Sequence, residues 1–112
     1  MAIQDGFAPS YWKKERLTIP ASSSILSVSI PLASFKCAKY LVSAWNGNKT
    51  KYSEVAIKNE NGVLTSTVGF KINGTFNLSL AEEVNTGNMN IRFSTTESFN
   101  VEIELAYILL GQ

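Results

Sequence analysis

The sequence predicts an all-β protein built as one antiparallel β-sandwich or barrel. Three observations predict it. Apolar residues recur at every second position from Ile25 to Tyr107, the period of a strand with one face buried. Asn-Gly pairs at Asn46-Gly47, Asn61-Gly62 and Asn73-Gly74 punctuate that pattern; Asn and Gly tolerate the positive φ of tight hairpin turns. Charged residues make up only 17% of the chain, against about 25% in typical domains. The polar positions are therefore mostly Ser, Thr and Asn, which suit a pleated surface better than a solvated helix.

Seven strands follow from the alternation. Leu26, Val28 and Ile30 alternate with serines; Tyr40, Val42 and Ala44 with Leu41, Ser43 and Trp45; Val55 and Ile57 with Glu54, Ala56 and Lys58. Leu64, Ser66, Val68 and Phe70 form a fourth set, Phe76, Leu78 and Leu80 a fifth, Met89, Ile91 and Phe93 a sixth, and Phe99 to Tyr107 a seventh. The expected core is Leu26, Val28, Tyr40, Val42, Val55, Ile57, Val68, Phe76, Leu78, Ile91, Phe93, Val101, Ile103 and Leu105. Gly87 and the polar stretch Thr95–Ser98 supply further breaks, and a helical turn is expected only at Leu80–Val84. In Ile108-Leu109-Leu110 the alternation fails. A strand covered on both faces, or one whose outer face meets another subunit, accounts for it.

Residues 1–24 lack a sustained period and read as an extended N-terminal arm, with residues 25–112 as the sandwich domain. The arm holds Phe7, Pro9, Tyr11 and Trp12, then Lys13, Lys14 and Arg16. A short edge strand at Leu17–Ile19 is expected to end at Pro20, which has no N–H for a ladder. Aromatic and Arg side chains are common interface anchors. Phe7, Tyr11, Trp12, Lys13, Lys14 and Arg16 are therefore expected to bind a partner; folding back onto the chain's own sandwich is the competing expectation.

At 112 residues the chain is one domain long, enough to bury about two-thirds of its unfolded surface without staples. It has no His, one Cys (Cys37) and one Asp (Asp5). The usual nucleophile–base pairs, a disulfide and a thiolate zinc site are thereby excluded, and the chain is expected to be neither an enzyme nor a holder of metal or cofactor. No secretory leader is expected, and no apolar run approaches the roughly 18 residues that span a bilayer, so no membrane partner is expected. Net charge is +1, but residues 1–51 carry seven cations against two carboxylates, and residues 52–112 three against seven. Solvated faces account for this, or a basic end that suits an acidic partner.

Other candidates are weighed in the same way. Trp45 is out of phase with the core and, with Tyr52, is a possible exposed aromatic for a partner or a sugar ring; Tyr40 is in phase and expected in the core. Glu82-Glu83 is expected in a turn and Glu102 and Glu104 on a solvated face, not as paired catalytic carboxylates. The glycosylation-like triplets at Asn48, Asn73 and Asn77 fit an Asn- and Thr-rich β surface. Cys37 is expected as a small buried residue. The cations beside Tyr11 and Trp12 are too few for nucleic acid to be expected as a partner.

The stretch from Cys37 to Leu110 resembles a β-module of tailed-bacteriophage virion proteins. The resemblance rests on Ala38-Lys39-Tyr40-Leu41-Val42, a polar loop, Ser53-Glu54-Val55-Ala56-Ile57, a hairpin through Gly62 and a strand leading to Gly69. It continues with Asn73-Gly74-Thr75-Phe76, a turn at Gly87, Ile91-Arg92-Phe93 and a final strand Val101–Ile108. As a chain of this size it resembles the small jelly-roll decoration, or stapling, proteins of short-tailed phages of the epsilon15 type. The resemblance implies a jelly-roll-like sandwich of about seven to eight strands on the capsid exterior, made in the host cytoplasm. Its implied partners are the major capsid protein and further copies of itself, and its implied action is to cement the shell. A fibre, baseplate or carbohydrate-binding module is the alternative. The family often shows a His or Asp in the loop that here reads Asn59-Glu60-Asn61-Gly62, so no role tied to that loop carries over.

Overall fold

The computed structural model describes residues 12–72 and 76–111, of Phe70 the backbone only. The Asn73-Gly74 turn, with Phe7 and Tyr11 of the expected arm, lies outside the described residues. Among the described residues nine strands and one 3₁₀ turn, Leu32–Ser34, are formed. In chain order the strands are β1 (Lys13–Ile19), β2 (Ser24–Leu26), β3 (Ile30–Pro31), β4 (Cys37–Asn46), β5 (Lys49–Glu60), β6 (Val63–Ile72), β7 (Ser79–Asn85), β8 (Asn88–Ser94) and β9 (Val101–Leu110). All pairings are antiparallel. One sheet runs β1-β9-β4-β5-β6. In the other, β7 pairs along one edge of β8, and β2 and β3 pair in tandem along the opposite edge.

The turns show why the hairpins form. Asn61 (φ 55°) and Gly62 (φ 86°) are the two central residues between Glu60 and Val63, both in the left-handed region that a type I′ turn needs. Thr86 and Gly87 do the same between β7 and β8. Between β4 and β5 the turn falls one residue later than the Asn-Gly pair suggests: Asn46 still pairs with Lys49, and Gly47 (φ 60°) is the first turn residue.

The core lies between the sheets. Tyr40, Val42, Ile57, Phe93, Val101, Ile103 and Leu105 are nearly or fully buried, as their alternation predicts, with Val55, Phe76 and Ile91 beside them. Removing such area from water, at about 25 cal/mol per Å², is the main force holding the layers. Tyr40 also stacks on Tyr107, with ring centroids 5.1 Å apart.

Several expectations are corrected. Leu26 and Val28 are exposed (40% and 48%), not core. Ile25 faces Phe93 and Ser27 is buried instead, because Ser27 replaces a missing rung of the ladder. Its N–H donates to the Ile91 carbonyl and its Oγ accepts from the Ile91 N–H, both at 2.9 Å. Asn90 Nδ2 completes this buried patch by donating to the Ser27 carbonyl (2.8 Å) and Ser29 Oγ (3.0 Å). Val68 points to the inner face, opposite Val55, yet is 54% exposed, because β6 is the outermost strand of its sheet. Residues 80–84 are not helical: they belong to β7, paired along its length with β8. Cys37 is exposed, since Ala38, Tyr40, Val42 and Ala44 take the inward positions of β4. The sandwich also begins before residue 25. Of the expected arm, Lys13–Ile19 pair with Val101–Tyr107, and Ser24 onward with β8.

Candidate functional site

The two edges of the sandwich differ. At the β1 edge the layers are tied: the Glu15 carboxylate on β1 accepts from the Val28 N–H at 3.1 Å. At the other edge β6 and β7 leave a cleft. It lies between the inward side chains of β6 and those of β7, and leaves Val68 on β6 54% exposed. Its inner end, a void of about 50 Å³, is lined by Tyr40, Val42, Ser66, Ala81, Glu82 and Ile91. Its outer end, about 220 Å³, is lined by Lys51, Ser53, Lys71, Leu78 and Ser79. Val55, Val68 and Leu80 line both ends and form a shared apolar floor.

The cleft is polar at its ends. Ser66 donates to Glu82 Oε1 at 2.8 Å. At the opposite end Lys51 Nζ donates to the Phe76 carbonyl at 2.8 Å and lies 5.7 Å from the centre of the Phe76 ring. Burial and the neighbouring Lys71 charge hold the Lys51 ammonium below its ordinary pKa, with Glu97 acting the other way. Deep inside, the Tyr40 hydroxyl is buried and makes no hydrogen bond among the described residues. Burial, then Tyr107 and Glu15, push that phenol well above the ordinary tyrosine value. The site thus presents an acid–hydroxyl pair at one end, two ammonium groups at the other and a greasy floor between. That arrangement suits recognition of a ligand bearing hydroxyl and anionic groups. Among the described residues no group of His, Cys, Asp or Glu is placed to hold a metal ion.

The residues expected to bind partners are elsewhere. Phe7 and Tyr11 lie outside the described residues. Trp12 is half-buried just before β1, and Lys13, Lys14 and Arg16 are exposed on β1. Arg16 lies over the Trp45 ring, its guanidinium carbon 4.9 Å from the ring centre. Trp45 is half-buried on the outer face of the five-stranded sheet, so arm and strand residues meet within this chain. Tyr52, half-buried on the same face, donates to Glu54 Oε2 at 2.9 Å. Glu83 pairs with Arg92, and Glu102 accepts from Thr18 Oγ1 at 2.9 Å. Neither carboxylate faces the cleft. Sequence reasoning missed Lys51 and Lys71. Lys51 shares the phase of Val55 and Ile57, a signal that it points inward. Lys71 carries no such signal, because a bulge between β5 and β6 shifts its phase.

No protein-family model matches this chain, and no curated protein matches it. Among solved structures it is similar to the tailspike protein of Acinetobacter baumannii phage AM24, with a TM-score of 0.56 and 7% sequence identity, over 90% of this chain and 26% of that one. It is similar to the tailspike protein of Acinetobacter phage vB_ApiP_P1 at TM-score 0.54 and 13% identity, over 88% of this chain and 21% of that one. A third similarity is to a tailspike protein of A. baumannii bacteriophage Fri1, a capsular polysaccharide depolymerase, at TM-score 0.46 and 10% identity, over 90% of this chain and 18% of that one. This chain therefore spans about a quarter or less of the length of these tailspikes. At such identities the likeness is one of fold.

Proposed function

We propose that this chain is a virion module of a bacteriophage tailspike or tail fibre, acting through its surfaces and not by catalysis. The observation that carries this reading is the fold shared, over about nine-tenths of the chain, with part of two phage tailspikes. Fold does not fix function, but both neighbours are spikes and neither is a shell protein. That favours the fibre reading over capsid stapling, which rests on the sequence resemblance alone. In this role the cleft between β6 and β7 is the contact for a surface saccharide. Ser53, Ser66, Ser79 and Glu82 match sugar hydroxyls, Lys51 and Lys71 an acidic substituent, and Val55, Val68 and Leu80 the apolar face of a ring. The test is electron microscopy of phage particles labelled with a gold-conjugated antibody against this chain. Label confined to the tail end is the expected result. Label spread evenly over the capsid would overturn the reading in favour of shell decoration.

A further inference from the structure

Among the described strands, every edge of the sandwich but one is guarded. A free strand edge exposes a row of N–H and C=O groups to which a further strand can add, and charges, proline or short length blunt it. At the β1 edge Lys13, Lys14, Glu15 and Arg16 crowd a strand of seven residues. In the other sheet β7 carries Glu82 and Glu83. The opposite edge of that sheet is made of two short pieces, three residues of β2 and two of β3, the second ending in Pro31. β6 has none of these devices. Its ten residues, Val63–Ile72, hold one charge, Lys71, and no proline. Val63, Val68 and Ile72 are all more than half exposed, and among the described residues only β5 pairs with this strand.

The sequence of β6 is also complementary to itself. A two-fold axis through Ser66, relating two antiparallel copies, sets Leu64 opposite Val68 and Thr65 opposite Thr67, each pair occurring twice. Ser66 then faces itself and Val63 faces Gly69. The faces agree. Leu64, Ser66 and Val68 share the inner face, across from Asn59, Ile57 and Val55, while Thr65 and Thr67 share the outer face, across from Lys58 and Ala56. Pairing therefore buries Leu against Val and sets Thr against Thr, a favourable cross-strand pair. Lys71 falls beyond the paired stretch, so no charge meets a like charge. Val68 lies on the apolar floor of the cleft, and Leu64 of the second copy extends that floor.

We propose that two copies of this chain join through β6 in this register, merging their five-stranded sheets into one. The inference does not rest on the tailspike reading. Pairing along Val63–Gly69 alone makes a small interface, below about 1,200 Å², so the dimer is weak and depends on concentration. Sedimentation equilibrium of the full chain, taken up to its solubility limit, should show a reversible monomer–dimer exchange. Thr65 and Thr67 are exposed and accept charged replacements without loss of the core. The Thr65→Lys, Thr67→Lys double variant sets like charges opposite each other twice, as does the Thr65→Glu, Thr67→Glu double variant. Each alone should dimerise roughly tenfold more weakly than the parent. Mixed, they set opposite charges face to face and should regain the dimer. A parent that stays monomeric or forms larger species, double variants that dimerise as the parent does, or a mixture that stays monomeric would each overturn the proposal.

Discussion

Ser66 on β6 donates a hydrogen bond to the Glu82 carboxylate on β7, bridging the two sheets at 2.8 Å across their open edge. Glu82 stands on the inner face of its strand, opposite Ile91. A carboxylate in that position guards an edge, because any strand that added to β7 would have to cover it. Both partners are solvent-accessible, so Ser66→Ala should lower stability by less than about 1 kcal/mol. Glu82→Leu should behave differently. It replaces the one carboxylate lining the cleft with an apolar side chain and removes the guard, so the variant should self-associate in sedimentation velocity at concentrations where the parent does not.

The second prediction concerns Tyr40. Its buried hydroxyl makes no hydrogen bond among the described residues, and an unpaired buried polar group costs about 1–3 kcal/mol. Tyr40→Phe keeps the ring and its stacking on Tyr107, and should raise the unfolding free energy by about 1 kcal/mol in urea titration. The pH dependence follows the same logic. A phenol whose folded pKa lies above its unfolded value contributes stability that is complete below the unfolded pKa, about 10. That stability is lost as pH rises through the folded value. Tyr40, Tyr52 and Tyr107 are all shifted upward. The protein should therefore lose stability above about pH 10, and Tyr40→Phe should lose less.

The third prediction tests the buried Ser27–Asn90 patch. Asn90→Ala leaves the Ser27 carbonyl without its side-chain donor in a buried patch, and should cost about 1–3 kcal/mol. Ser29→Ala removes a partner from the exposed end of the patch and should cost less. Thermal melts of the two variants against the parent decide it; equal melting temperatures for Asn90→Ala and the parent would show that the patch contributes nothing.

The fourth prediction addresses the cleft. Val68 forms its floor and is half exposed, so Val68→Trp can fill it from the open side with little disturbance to the core. If the cleft takes an acidic oligosaccharide, NMR shifts on titration should centre on Lys51, Lys71 and Leu80 in the parent and be lost in Val68→Trp. Shifts unchanged by the tryptophan would locate the saccharide elsewhere.

Much of the fold was legible because alternation and turn chemistry act locally. Tyr40, Ile57 and Ile103 sit where their phase puts them, and Asn61-Gly62 makes the expected turn. What failed depends on long-range partners. Val68 has the phase of a core residue but lies on a strand with no neighbour beyond it. Leu26 and Val28 follow the alternation, but Ser27 and Asn90, 63 positions apart, fix the opposite face. The N-terminal region lacks any two-residue period, yet Lys13–Ile19 make a strand because β9 offers an edge. The cleft was not legible at all. Its lining comes from strands of both sheets, and the bulge that turns Lys71 inward is a property of the β5–β6 pairing.

The place of β9 between β1 and β4 has a consequence for the order of events at the ribosome. Hairpins such as β4–β5 and β7–β8 join neighbours in the chain and can close as they emerge. β1 cannot: its partner is residues 101–107, made after every other described strand, and closing so long a loop carries a large entropic cost. During synthesis Lys13–Ile19 must wait unpaired, its four charges, Lys13, Lys14, Glu15 and Arg16, keeping it soluble in the meantime. The five-stranded sheet is completed only once β9 has emerged, in a step that brings the earliest and the latest of the described strands together in space.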